Sequence, residues 1–426
     1  MEEKKFGDLD VDLSALQENP QCPHGPTLLF RRRNKDGSVS TKDAYYACSA
    51  YRDSKECRFH LAFGAKREAV KMKQQQSGGS KKRKRDEMLE FHRPERWLDD
   101  AEVAYCARCS HILAEEEVSG HNHKEVQSVD PRFPTRFLLP LNENQSEAQY
   151  FFSKSTLDFF LGLVQSQKVK RIINIGCPRL HEEAISSSVI KAKSFLLDLD
   201  SRFAQFFPRK SFAQYNMFNN HFLTELGHAD FKSFLGETAP EDVLIVMDPP
   251  FGGRVEVLGH NLRQLFVEIG GECRVAWIFP YFMEKHVIRE LPSLVMDDYK
   301  VEYDNHRKFK QVATGAGRGS PVRIFTNIQP AASIPHPSKE GYWMCADCER
   351  YSSRENKHCL ACGVCSSKDG KTWRHCQTCA KCVKPDWNHC KKCKRCHAKT
   401  CLAKAETTED GASFKKRSWK FSGGKR

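Results

Sequence analysis

The residues most able to do chemistry in this chain are Asp248-Pro249-Pro250-Phe251, which directly follow the apolar run VLIVM. A planar amine attached to an aromatic base is a weak nucleophile, because its lone pair is delocalised into the ring. The Asp248 carboxylate and the Pro249 carbonyl could accept its two protons, while the prolines stiffen the turn and add no competing N–H donor. Phe251 could stack on the flat base. The motif therefore predicts a catalytic turn that orients an amine, such as that of adenine, toward a sulfonium methyl group.

Two further residues follow neighbouring apolar runs and are typical of a nucleotide site. Gly176, after RIINI, would let a ligand approach the backbone closely. Asp198 lies about 22 residues later, a distance typical of an acidic side chain that accepts hydrogen bonds from ribose hydroxyls. The alternative is a solvated aspartate at a strand end. The full G-x-G-x-x-G pattern is missing, which disfavours a dinucleotide-binding fingerprint.

A third candidate for cofactor binding is the strip Tyr215-Asn216-Met217-Phe218. Its amide and its apolar side chains could contact the adenine ring of a cofactor. The alternative, which the sequence leaves open, is that the strip belongs to the core.

The elements that must position these residues lie between positions 130 and 328, where apolar runs alternate with helical patterns. This texture predicts an α/β fold with a mostly parallel sheet flanked by helices. The predicted strands are VKRIINIG, KSFLLDLD, EDVLIVMD, CRVAWIFP, YKVEYD and RIFTNI. Several of these runs are apolar on both faces, as expected for covered central strands. Ligands of such sheets lie beyond the carboxyl ends of the strands, where the candidate residues stand.

Residues 20–64 predict a first zinc site with Cys22, His24, Cys48 and Cys57 as its four ligands. Two short strands are expected around the turn at 34–37. The CxHG opening, the YxxCS core and the last cysteine resemble the GRF-type zinc finger, a family that binds nucleic acid. The alternative is a zinc knot that only stabilises a small fold.

Residues 96–128 predict a second finger, with the ligands Cys106, Cys109, His121 and His123. Its histidine pair is closer together than the usual three to five intervening residues. His111 is therefore an alternative ligand in place of one of the two distal histidines.

The segment 341–403 contains a repeat of the form H-C-x2-C-x2-C, and its twelve cysteines and four histidines suffice for four zinc ions. The spacing predicts that the third cysteine of each triplet completes the preceding site. The predicted sites are Cys345, Cys348, His358 and Cys365; Cys359, Cys362, His375 and Cys382; Cys376, Cys379, His389 and Cys396; and Cys390, Cys393, His397 and Cys401. With the two fingers, about six zinc ions are expected. The interleaving resembles the cysteine-rich region of DHHC palmitoyltransferases, but the DHHC tetrad is absent.

The net charge of +14 favours a polyanionic partner, above all nucleic acid. Basic residues are concentrated in the predicted flexible linker 65–95, in the loop 306–323 and in the tail 404–426; a second linker is expected at 329–340. The run KKRKR at 81–85 is typical of a nuclear-localisation signal. No stretch reaches the roughly 18 apolar residues of a membrane span, so we expect no membrane partner.

The order of these parts resembles one family, the zinc-finger CCHC-domain-containing rRNA adenosine methyltransferases. The resemblance covers nearly the whole chain and implies a class I methyltransferase fold, S-adenosylmethionine as cofactor and large-subunit ribosomal RNA as substrate. It also implies which residues contact the cofactor or lie beside it: Gln149, Phe152, Ile175, Gly176, Cys177, Pro178, Arg179, Asp198, Asn216, Met217, Phe218 and Asp248. We expect a nuclear and nucleolar protein, with the cytoplasm as a second location and ribosome-assembly proteins as further partners.

Some methyltransferases with the same motif modify protein lysines, and the motif alone does not separate the two substrates. The surrounding zinc fingers and basic segments favour RNA. A catalytically idle RNA-binding scaffold is the third hypothesis.

Overall fold

The computed structural model describes residues 9–34, 36–51, 56–65, 102–122, 124–138, 149–305, 320–337 and 340–398. The chain divides into two compact units, Met1–Arg354 and Glu355–Arg426. The basic linker, most of the loop 306–323 and the basic tail lie outside the described residues. Among the described residues, no helix combines the length and the apolar character that crossing a membrane requires.

The first finger is a small antiparallel β structure. Its strands are β1 (Leu9–Asp12), β2 (Gln21–Cys22), β3 (Gly25–Pro26), β4 (Leu28–Arg33), β5 (Val39–Ala47) and β6 (His60–Ala62). Four of them form a sheet in the order β1-β4-β5-β6, and β2 pairs with β3 in a short hairpin. The predicted pair of strands around the turn at 34–37 corresponds to β4 and β5.

The second finger consists of β7 (Val103–Cys106), β8 (His111–Leu113), α1 (Glu115–Val118) and β9 (Val126–Val129). Its buried side chains pack against side chains of the α/β domain in one apolar cluster. This cluster includes Tyr105 of the finger and Phe206 and Phe212 of the domain. The finger is therefore part of the first unit's core.

The central sheet has eight strands: β10 (Arg171–Ile175), β11 (Lys193–Asp198), β12 (Phe212–Asn216), β13 (His221–Phe222), β14 (Val243–Met247), β15 (Arg274–Pro280), β16 (Val295–Asp297) and β17 (Val322–Thr326). Their order is β13-β12-β11-β10-β14-β15-β17-β16. Strands β10, β11, β12, β14 and β15 are parallel to one another, and the three remaining strands are antiparallel to their neighbours. The predicted mostly parallel sheet is confirmed.

Five helices flank this sheet: α2 (Lys154–Gln167), α3 (Pro178–Ser186), α4 (Glu225–Leu235), α5 (Val255–Ile269) and α6 (Glu284–Glu290). Alternate residues of the strands enter two apolar clusters; Ile173 and Ile245 belong to one cluster, and Ile172 and Leu244 to the other. Both faces of the sheet are thus covered. After β10 the chain adds β11, β12 and β13 on one side of that strand, and then adds β14 and β15 on its other side. The boundary between β10 and β14 is therefore a topological switch point, where such folds bind ligands.

The predicted strand YKVEYD is wrong. Apart from one isolated bridge between Tyr303 and Phe152, the segment 298–303 forms no strand. Its backbone bonds to the start of α2 instead, because the Glu302 carbonyl accepts from Ser153 N and Glu302 N donates to the Thr156 hydroxyl. The alternating apolar pattern therefore reflects burial of an extended segment against a helix.

The predicted linker 329–340 is packed where it is described. The His336 side chain is buried, its Nε2 forms a 2.8 Å hydrogen bond with the Asp297 carboxylate, and its ring stacks on Tyr351. A hairpin of β18 (Trp343–Cys345) and β19 (Arg350–Ser352) follows, and Asp298 accepts hydrogen bonds from the backbone and hydroxyl of Ser353. This hairpin consequently belongs to the first unit, so the unit boundary lies inside the predicted zinc domain 341–403.

The second unit repeats one hairpin. Its strands are β20 (His358–Cys359), β21 (Val364–Cys365), β22 (Arg374–Cys376), β23 (Lys381–Val383), β24 (Asn388–Cys390) and β25 (Arg395–His397). The residue after the second cysteine of each C-x2-C has positive φ in all three copies: Gly363, Ala380 and Lys394. Ser110 and Glu349 hold the same position after the C-x2-C pairs of the first unit and also have positive φ. Non-glycine residues rarely adopt a positive φ. The turn that each C-x2-C forms, here called a zinc knuckle, therefore requires this backbone conformation.

Candidate active site and metal centres

Gly176 and Asp248 end adjacent parallel strands at the switch point. Strands β10 and β14 are in register from Arg171 to Ile175, and Asp248 N continues the ladder by donating to the Ile175 carbonyl at 3.0 Å. Gly176 has a φ of +68°, and a Cβ added there would lie 3.1 Å from the Asp248 carbonyl oxygen and 3.2 Å from Met217 Cε. A side chain at this position would fill the space beside Asp248, which explains the glycine.

The carboxyl group of Asp248 is held by a residue that the motif did not predict. Its Oδ1 accepts a 3.0 Å hydrogen bond from the hydroxyl of Tyr303. Asp248 remains partly accessible to solvent, but close packing around the carboxyl raises its pKa well above the usual range, and the Tyr303 hydrogen bond opposes that rise. The same burial, with the Asp248 charge nearby, raises the pKa of Tyr303. Tyr303 therefore donates and Asp248 accepts.

The turn after Asp248 presents Phe251 beside the two residues just described. The Phe251 ring is partly buried and makes edge contacts with Phe279 and Tyr303, at centroid distances of 6.4 and 6.3 Å. Gly253 N closes the turn on the Pro250 carbonyl at 2.7 Å. Phe251 therefore lies against Tyr303, the residue whose hydroxyl binds the Asp248 carboxylate.

Asp198 and Asp200, at the end of β11, have different partners. Asp200 accepts two or more hydrogen bonds from the Arg202 guanidinium and one of 3.1 Å from the Gln149 amide. Asp198 accepts hydrogen bonds from the neighbouring backbone, including one of 2.9 Å from Asp200 N to its Oδ1. Burial, and then the charge of Asp200, raises the pKa of Asp198 to about 7. Gln149 and the unpredicted Arg202 bind Asp200 through their side chains, whereas Asp198 accepts hydrogen bonds from backbone groups. The role of Asp198 toward ribose hydroxyls stays a prediction.

The three residues after Gly176 have defined positions or partners within the fold. Cys177 is buried, and burial raises the pKa of its thiol. Pro178 is the first residue of α3, where its missing N–H is no loss. Arg179 binds the Phe152 carbonyl at 3.0 Å and Asp304 at 2.6 Å, which ties the aromatic segment 149–153 to the segment that contains Tyr303.

Two predicted cofactor-binding residues have their side chains engaged within the protein. Phe152 is 2% exposed and stacks on Phe160, so its ring is part of the core beneath Tyr303. The Asn216 amide donates to the His24 carbonyl and to the Ser49 hydroxyl, and its oxygen accepts from Phe218 N. Because the first finger and its own turn use these polar atoms, Asn216 does not offer them to an adenine ring. Met217, next to it, does lie over Gly176.

The first finger brings its four predicted ligands together. The ligand atoms of Cys22, His24, Cys48 and Cys57 all lie within 4.8 Å of one another. His24 Nδ1 is 3.5 Å from the Cys48 sulfur and 3.9 Å from the Cys22 sulfur. Zn–S and Zn–N bonds of about 2.3 and 2.0 Å place tetrahedral ligands roughly this far apart, so the donor set fits zinc.

The second finger brings together Cys106, Cys109 and His121. The Cys109 sulfur is 3.7 Å from His121 Nε2. The predicted ligand His123 lies outside the described residues. The fourth ligand of this site, His123 or the alternative His111, stays a prediction.

In the second unit the interleaved pattern is visible in two groups. Their members are Cys359, Cys362, His375 and Cys382 in one and Cys376, Cys379, His389 and Cys396 in the other. In both groups the second cysteine is 3.2 Å from the histidine Nδ1. The last cysteine comes from the next hairpin, 3.7 Å from Cys362 in the first group and 3.6 Å from Cys379 in the second. These are the sets that the triplet spacing predicted.

The two outer sites of the tail stay predictions. The ligands predicted for the first, Cys345, Cys348, His358 and Cys365, are divided between the two units. The last site includes Cys401, which lies outside the described residues, although Cys390, Cys393 and His397 are described.

Comparisons with known proteins identify relatives over most of the chain. A family model described as a probable N6-adenine methyltransferase matches residues 143–327. The mouse protein named rRNA N(6)-adenosine-methyltransferase ZCCHC4 is 38% identical over 371 residues, 81% of this chain and 72% of the mouse protein. The human protein of that name is 38% identical over 80% of this chain and 70% of its own length. The Xenopus laevis protein of that name is 36% identical, over 81% and 73%.

Proposed function

The chain belongs to the family of rRNA N(6)-adenosine-methyltransferases, and from that premise we propose that it methylates the N6 amine of an adenosine in large-subunit ribosomal RNA at the Asp248 turn. The observation that supports this site most directly is the position of Asp248 beside Gly176 at the switch point of the sheet. The protein is an S-adenosylmethionine-dependent enzyme that contains zinc.

The cofactor site is formed by the ends of β10, β11 and β12. Asp198 accepts hydrogen bonds from the ribose hydroxyls, Gly176 leaves room at the backbone, and Met217 provides apolar surface. When bound, S-adenosylmethionine supplies a methyl group activated by its positively charged sulfur.

Asp248 and Pro249 orient the acceptor amine. The Asp248 carboxylate and the Pro249 carbonyl accept its two N–H groups, and these hydrogen bonds become stronger as positive charge develops on the nitrogen. Tyr303 fixes the carboxylate through Oδ1. Because its pKa is raised, Asp248 is also able to take up the proton that the amine releases. Phe251 stacks on the base and keeps it in the plane that the acceptors require.

Ribosomal RNA is favoured over protein lysine as the acceptor. The family model and the relatives are all named for adenine or adenosine N6 chemistry, and none of these names refers to lysine. The net charge of +14 and the zinc-ligand groups of the fingers and tail are consistent with a nucleic-acid substrate.

The protein acts in the nucleus and nucleolus, with the cytoplasm as a second location, and meets ribosome-assembly proteins there. Support comes from the basic run at 81–85 and from the substrate itself, since ribosomal RNA is assembled with protein where it is made.

Incubation of the full-length protein with methyl-labelled S-adenosylmethionine tests this function. Equal portions receive total RNA or total protein, and label is measured in each pool. We expect label in the large ribosomal RNA. Label in protein alone would support lysine methylation, and label in neither pool would support a scaffold without activity.

A further inference from the structure

The first finger contacts the loop that borders the cofactor site. We name residues 216–219, which begin at the last residue of β12, the cofactor loop. Asn219 is fully buried, and its amide donates to the His24 carbonyl at 3.0 Å and to the Pro26 carbonyl at 2.8 Å. Asn216 donates to the same His24 carbonyl at 2.9 Å. The backbone of one finger residue thus binds both ends of the cofactor loop.

That residue, His24, is also a metal ligand. Its Nδ1 joins the sulfur atoms of three cysteines, while its carbonyl faces the cofactor loop. The next residue, Gly25, has a φ of +93°, and a Cβ added there would overlap the His221 ring. The knuckle therefore approaches the methyltransferase sheet so closely that only glycine fits.

The other side of the cofactor loop faces the site. Met217 Cε lies over Gly176, and a Cβ at Gly253, in the turn after Phe251, would be 3.0 Å from Phe218 Cε1. The Met217 carbonyl accepts a 2.9 Å bond from Asn261 of α5. The loop thus lies between the zinc knuckle and two turns that bound the proposed cofactor and base sites.

We propose that the zinc ion of the first finger positions the cofactor loop, so that the metal sets the enzyme's affinity for S-adenosylmethionine. This inference rests on the proposed function, because it assigns the cofactor to the site beside Gly176. Zinc fixes the backbone of the knuckle through His24, and a finger without its metal has too small a core to hold that shape. The His24 carbonyl then leaves Asn216 and Asn219, and Met217 no longer keeps its place over Gly176.

Asn219 is a positioning residue in this account, and Asn219→Ala separates the contact from the metal. The variant keeps all four zinc ligands, so its zinc content should equal that of the wild type. Its dissociation constant for S-adenosylmethionine, measured by calorimetry on the full chain, should rise about tenfold, a typical size for coupling between two sites. Turnover at saturating S-adenosylmethionine should equal that of the wild type, because the substitution displaces the cofactor loop but leaves the catalytic turn at Asp248 intact.

The matched control is Asn34→Ala in the same finger. The Asn34 side chain is exposed and donates to the Ser38 hydroxyl within its own turn, so the dissociation constant should stay at the wild-type value. Cys57→Ser tests the metal: it should lose one zinc ion and weaken cofactor binding at least as much as Asn219→Ala.

The outcomes are distinguishable. Wild-type protein that does not bind S-adenosylmethionine contradicts the proposed function itself. If the wild type binds S-adenosylmethionine and the Asn219→Ala variant binds it within twofold of the wild-type dissociation constant, only the positioning role of Asn219 is overturned. A Cys57→Ser variant that lacks its zinc but binds normally overturns the role of the metal.

Discussion

The hydroxyl of Tyr303 donates a hydrogen bond to Oδ1 of Asp248, 55 residues away in the chain, at 3.0 Å. This bond favours the ionised carboxylate, whereas burial disfavours it. We expect Tyr303→Phe to raise the pKa of Asp248 further, because the substitution removes the hydrogen bond that lowers this pKa and leaves the burial that raises it. Since the amine binds the carboxylate, the acid limb of kcat/KM against pH should move to higher pH, with about a tenfold loss at neutral pH, the typical effect of a hydrogen bond to a charged group.

The control for that variant is Tyr299→Phe. Tyr299 is buried in the same segment, but its hydroxyl contacts the Ser155 carbonyl rather than Asp248. Its pH profile should match the wild type. An unshifted acid limb in Tyr303→Phe would mean that the hydroxyl does not act on the catalytic carboxylate.

Asp198 makes cofactor affinity depend on pH. Burial and the Asp200 charge raise its pKa to about 7, so it becomes protonated, and accepts fewer hydrogen bonds from ribose, as the pH falls through that value. We expect the dissociation constant for S-adenosylmethionine to rise about tenfold between pH 8 and pH 6. Asp198→Asn should bind weakly at both values and show little change between them. A wild-type constant that is flat over this interval would refute the assignment.

Phe251 should contribute to RNA binding through stacking. Replacement by alanine removes a base–aromatic contact worth about 1–3 kcal/mol, so the KM for RNA should rise by about 5- to 160-fold. Phe251→Tyr keeps the ring and should stay near wild type. Phe282→Ala is the matched control, because Phe282 is a surface phenylalanine, 63% exposed. An equal rise in the KM for RNA in Phe251→Ala and Phe282→Ala would show that Phe251 does not stack on the base.

The interleaved zinc sites of the tail can be tested with Cys382→Ser. Cys382 belongs to the group of Cys359, Cys362 and His375 rather than to its own triplet. We expect the variant to lose one zinc ion and to expose Cys359 and Cys362 to alkylation, while Cys376 and Cys379 stay protected. Mass spectrometry of alkylated peptides makes this measurement. Exposure of Cys376 and Cys379 instead would show that each triplet binds its own metal.

The sequence predicted the parts of the site that local pattern encodes. An apolar run followed by Gly176 or by Asp248 marks the end of a covered strand, and parallel strands place their carboxyl ends at one edge. The tail ligands are separated by only a few residues, so their spacing limits which of them can share a metal.

Contacts between distant segments were not predictable in this way. Tyr303 lies in a run whose alternation resembles a strand, and nothing local shows that it reaches Asp248. The Asn216 amide looked available for a cofactor, but its partner, His24, is 192 residues away. Arg202 was missed because a single basic residue after a strand has many possible partners, and only the folded chain places it on Asp200.

We propose that the enzyme methylates N6 of adenosine in ribosomal RNA at the Asp248 turn. The most direct measurement is nucleoside mass spectrometry of purified large ribosomal RNA after reaction with the wild type or with Asp248→Ala, with zinc content and circular dichroism measured for both proteins. We expect new N6-methyladenosine with the wild type and none with the variant, at equal zinc content and equal folding. Undiminished N6-methyladenosine with Asp248→Ala would contradict the account.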